Sequence, residues 1–165
     1  MTMNSGVTIR LLPVTTYTFT GLGTGKSVNL ILAQHIDVTT FTEAHFLFRY
    51  HAATVVAAGS LQAGVFADGW DFQDPTTSFF SSAAIATGTS IAATPSGAVL
   101  QVIPVSLNLG AGLAFARHLM LQLTFNQTTA NSNLVAQVSC DLVLKGGDGG
   151  SNVGGPNSYM GYRVM

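Results

Sequence analysis

The sequence predicts an all-β protein, an antiparallel β-sandwich of about eight short strands, on three observations. Apolar residues recur at every second position in several separate stretches, the period of a strand with one buried face. Turn-forming clusters of Gly, Pro, Asn, Asp and Ser separate those stretches. No stretch shows a sustained 3.6-residue apolar stripe. Short strands with regular turn signals suit a sandwich, most simply a jelly roll.

Each element can be justified in chain order. Residues 1–6 are small and polar and read as an N-terminal arm. Val7 to Leu12 and Val14 to Phe19 read as extended chain interrupted at Pro13, which suits an edge strand because proline cannot donate to a ladder. Gly21 to Gly25 reads as a glycine-rich hairpin turn, after which Val28, Leu30, Leu32 and Ile36 alternate. The anchor of the chain follows at Ile36 to Val56. There Ala44, Phe46, Phe48 and Tyr50 share one side of a strand, and His45, Leu47, Arg49 and His51 the other.

Leu61, Ala63, Val65 and Ala67 give a shorter strand, and Asp68 to Pro75 reads as a loop. Ser78 to Ser90 reads as one thin strand with loops, and Val99, Gln101, Ile103 and Val105 as a further strand. Leu119, Leu121, Leu123 and Phe125 alternate strongly. The clearest pattern is the last, with Leu134, Ala136, Val138, Cys140, Leu142 and Leu144 expected inward and Ser139 and Asp141 outward. Residues 7–145 therefore form the expected sandwich domain. Residues 146–165 form a Gly-rich linker and a C-terminal arm ending NSYMGYRVM. Tyr159, Met160, Tyr162 and Arg163 are the candidate contacts of that arm, laid on a neighbour by strand addition.

Composition narrows the function. Of 165 residues, 47% are apolar and only 8% are Asp, Glu, Lys or Arg, with a net charge of −1. Ordinary soluble domains carry roughly 25% charged residues. From Pro75 to Ala116 there is no formal charge at all. No basic field exists to attract nucleic acid. No run of 18 apolar residues suggests a membrane span, and no signal peptide is visible at the N-terminus. The lone Cys140 excludes an internal disulfide framework and fits a reducing compartment of synthesis. A surface so poor in charge is weakly protected against association, so it is expected to be buried against other copies or another protein.

Candidate chemistry is sparse. GLGTGKS (Gly21 to Ser27) lacks the first glycine of a phosphate loop, where Thr20 stands, and a strand pattern replaces the helix that such a loop requires. His35, His45, His51 and His118 show no metal-ligand spacing, so no metal or cofactor is expected. No catalytic triad or paired carboxylates stand out, and an enzyme is not expected. Asp68, Trp70, Asp71 and Asp74 form the one polar constellation that could contact a ligand or partner, through carboxylate oxygens or an indole face.

At Ile36 to Ala52 (IDVTTFTEAHFLFRYHA) and Asn133 to Gly147 (NLVAQVSCDLVLKGG) the chain resembles small β-sandwich structural proteins of tailed-phage and phage-like particles. It looks most like their jelly-roll capsid decoration proteins. The resemblance spans residues 30–145 and rests on strand patterns, so no residue role is carried over. It implies a non-enzymatic, homo-oligomeric virion protein that stabilises a bacteriophage capsid, with other copies and a major capsid protein as partners. The first segment is also similar to the opening strands of galactose-binding-type modules. That leaves a carbohydrate-binding module using Trp70 and its acids as an alternative, and a tail or connector protein as another.

Overall fold

A computed structural model describes residues 6–20, 25–38, 41–55, 59–70, 78–80, 83–92, 98–107, 118–128 and 134–146. They contain β1 (Val7–Phe19), β2 (Ser27–Asp37), β3 (Glu43–Val55), β4 (Gly59–Trp70), β5 (Ser78–Phe80), β6 (Ala86–Thr87), β7 (Ile91–Ala92), β8 (Val99–Ser106), β9 (His118–Gln127) and β10 (Leu134–Lys145).

Two antiparallel sheets result. The first has the order β1-β10-β3-β8, and the second β2-β9-β4-β5, with β6 and β7 also paired to β4. The order follows from nesting. β4 pairs with β5, β3 with β8, β2 with β9 and β1 with β10, so the pairs nest and the chain is one long hairpin with β4 and β5 innermost. That hairpin is folded over on itself, and the β10–β3 and β4–β9 ladders stitch the folded layers together. This is the wrapping of a jelly roll.

Alternation decides which side of each strand is inside. Phe46 and Phe48 of β3 are fully buried and Tyr50 almost so, facing Leu61, Ala63 and Val65 of the opposite sheet across the core. The six residues of β10 expected inward are all fully buried. Phe19 of β1 and Phe125 of β9 close one side of the core, with ring centroids 5.2 Å apart and planes tilted by 42°.

Several expectations are corrected. β1 runs unbroken through Pro13. The ladder shifts register around Leu12 instead, and Pro13 is tolerated because β1 is an edge strand. The glycine-rich stretch before β2 lies between strands of different sheets, so β1 and β2 are not the two arms of a hairpin. Its residues 21–24 lie outside those described; Gly25 takes φ +73 and leads directly into β2. Asp68 to Trp70 are not loop but the end of β4, paired with Phe80 to Ser78. The single thin strand expected at 78–90 is two short pieces on β4, β5 and β6, with β7 just beyond them, held in part by Ile85 and Gly88 donating to the Val65 and Ala63 carbonyls.

In β2, alternation slips where the ladder shifts between Ile31 and Ala33 and again before Ile36, with His35 at φ +56. A bulge of this kind turns the strand so that Ala33 and Ile36 meet Leu121 and Leu119.

Candidate assembly surface

The outer face of the first sheet combines a polar centre with an apolar edge. The centre is built by register. Arg10 of β1 stands opposite Asp141 of β10, while Arg49 of β3 stands opposite the adjacent Ser139. Arg10 Nε donates to Asp141 Oδ1, and Arg49 Nη1 donates to Asp141 Oδ2. His51 Nε2 lies 2.8 Å from Ser139 Oγ, in hydrogen-bond contact. Asp141 and Ser139 are buried although they point outward, because these longer side chains lie over them. The Arg49 guanidinium, seconded by Arg10, holds the Asp141 carboxyl below the usual carboxylate range, against the opposing effect of burial. At the end of the same sheet His45 Nε2 lies 3.3 Å from Glu43 Oε2.

The edge is β8. Of the large apolar side chains exposed among the described residues, three lie on it: Val99, Leu100 and Val102, the last two more than half exposed. Leu100 and Val102 share the outer face with Pro104, and Leu47 of β3 stands opposite Val102. Among the described residues no strand pairs with the other side of β8. An open depression at the end of this edge is lined by Thr42, Glu43, His45, Pro104, Val105 and Ser106.

Sequence reasoning placed Arg49 and His51 on one face but missed this surface. Its signal was present: β8 is apolar at both parities, and Arg10, Arg49 and Asp141 all sit at outward positions. The residues singled out from sequence lie elsewhere. Asp68 and Trp70 are at the end of β4 in the second sheet, where Asp68 stands beside His118 and His118 beside Asp37 on one rung. Among the described residues no group of three His, Cys, Asp or Glu side chains is arranged to hold a metal. Asp71, Asp74, Tyr159, Met160, Tyr162 and Arg163 lie outside the described residues. Cys140 is buried, and burial, with the Asp141 charge beside it, pushes its thiol up to about 12.

Two solved structures share this architecture. One is a chain in the structure of infectious bursal disease virus, Gx strain, with TM-score 0.58 and 14% identity over 90% of this chain and 34% of that one. The other is from the crystal structure of the infectious bursal disease virus VP2 subviral particle, with TM-score 0.53 and 15% identity over 89% and 34%. At such identity the likeness establishes a shared β-sandwich fold. The chain spans about a third of the length of those proteins. No family model matches the sequence, and neither does any curated protein.

Proposed function

We propose that this chain is a non-enzymatic structural component of a virus particle, working by packing against other copies of itself. The observation that carries the reading is the fold likeness to chains of viral and subviral particles, joined to a surface with few charges. The outer face of the first sheet supplies the contact: an apolar strip of Leu47, Leu100, Val102 and Pro104 beside a paired polar centre. A specific interface takes that composition, an apolar core with a hydrogen-bonded rim. In its finer form the protein decorates a bacteriophage-type shell, meeting a major capsid protein as well as its own copies.

Substitution Val102→Glu tests the surface. Val102 is exposed, so the variant is expected to melt like the parent while a charge enters the centre of the strip. Loss of self-association by at least about tenfold in light scattering is the expected result, since an unpaired buried charge costs several kcal/mol. Unchanged association would remove this face from the proposal. Saturable binding of the purified chain to preformed shells that lack it separates decoration from co-assembly.

A further inference from the structure

We infer that two copies meet through the outer faces of their first sheets about a two-fold axis, with strands antiparallel, so that Glu43 of each copy pairs with Arg49 of the other. The inference rests on the proposed reading that this face contacts another copy, and adds which residues meet. On β3 the outer row runs Glu43, His45, Leu47, Arg49. Opposite them on β8 stand Ser106, Pro104, Val102 and Leu100.

Charge on this face is self-complementary. Two guanidiniums share the Asp141 carboxylate, so the Arg49 end carries one positive charge in excess. The bond to Asp141 uses one of the five N–H donors of Arg49. At the other end of the same row the Glu43 side chain is 56% exposed. Opposite charges therefore stand equally far on either side of the level of Phe46. A two-fold axis lying across the strands at that level turns the face onto itself and sets each Glu43 over Arg49 of the other copy. Lys145, beside Glu43 on β10, then faces Ser139 of the other copy, one rung from Asp141. Arg10 faces Thr8, and no two like charges oppose each other directly.

Shape follows the same operation, which lays β8 over β8. Leu100, at 57% the most exposed large apolar side chain among the described residues, lands on Ser106. Ser106 belongs to the open depression lined also by Glu43, His45 and Pro104. A protruding side chain thus meets a hollow, twice by symmetry. Val102 lands on Pro104 and Leu47 on His45, so the apolar strip closes on itself around the axis. An axis running along the strands would instead set Val102 over Arg10 and Leu47 over Asp141, covering charge with apolar side chains at a cost.

The area sets the strength. The four strands over the length of Glu43 to Arg49 make a footprint of about 500 Å² on each copy. The total of about 1,000 Å² is where specific interfaces begin, so the pair is a reversible dimer.

The test is intermolecular cross-linking of full chains with a short bismaleimide. A chain carrying Leu100→Cys is mixed with one carrying Ser106→Cys, and each is also treated alone. Cys140 is fully buried and does not compete. Cross-linked dimers are expected in the mixture at least about tenfold faster than from either chain alone. Like positions lie three rungs apart along the strands, about 20 Å, whereas the unlike positions face each other. In sedimentation, Glu43→Gln is expected to melt like the parent and to weaken the dimer at least about tenfold, because a charge-assisted contact is lost twice. Dimers that form without the mixed cross-link, or cross-link equally from one chain alone, would overturn this arrangement and leave self-association standing. Undiminished association of Glu43→Gln would do the same. A monomer at every concentration would overturn the arrangement and the reading it rests on together.

Discussion

Asp141 is the residue on which the outer face is organised. It accepts from two guanidiniums, and removing it leaves both without their acceptor on a half-covered surface. Asp141→Ala is expected to cost about 1–3 kcal/mol in chemical denaturation. Arg10→Ala is expected to cost under about 1 kcal/mol, because the Arg10 side chain is 59% exposed and water screens its pair. The sign with pH follows from the lowered carboxyl. A folded pKa below the unfolded value of about 3.9 gives stability fully present above that value. It is lost as pH falls through the folded value. Stability measured from pH 6 to pH 2 is therefore expected to decline less steeply in Asp141→Asn than in the parent. Parallel curves would show that Asp141 does not make this contribution. Its parity was legible in the sequence, but its partners were not. Arg10 lies 131 residues away, and only strand order brings the two together.

At the scale of the element, β3 is the strand that both faces of the first sheet depend on. It pairs with β10 along its whole length and with β8 on the other side. Its inward row fills the core, and its outward row supplies Leu47, Arg49 and His51 to the surface. Phe48→Ala is expected to cost about 3–5 kcal/mol by leaving a cavity among residues that cannot collapse into it. Val102→Ala on β8 is expected to change stability by less than about 1 kcal/mol, because that side chain is exposed. Denaturant midpoints with an unchanged slope would check the contrast, and similar losses at both sites would contradict it. β3 and β10 were legible because their alternation is strict over many residues. β2 was legible only in part, since its bulge hides a change of face. The end of β4 was not legible, because Asp68 and Trp70 look like loop composition and are held in the ladder by Phe80 and Ser78.

For the whole molecule, the nesting of four strand pairs explains why the fold class and its jelly-roll wrapping could be expected from the sequence while the individual pairings could not. Local spacing reports which residues face inward, whereas pairing depends on contacts such as Val7 with Leu144, which no local signal carries. The glycine-rich stretch before β2 shows the same limit: its composition reads as a hairpin turn, but its place is a crossing between sheets. Charge content, by contrast, is a property of the whole chain and was fully legible. A sandwich with 8% charged residues and an apolar edge strip has little to keep copies apart. Sedimentation velocity of the purified full chain across a wide concentration range tests that claim most directly. The account predicts discrete, concentration-dependent assemblies that Val102→Glu reduces. A single monomeric species at the highest concentration would contradict it.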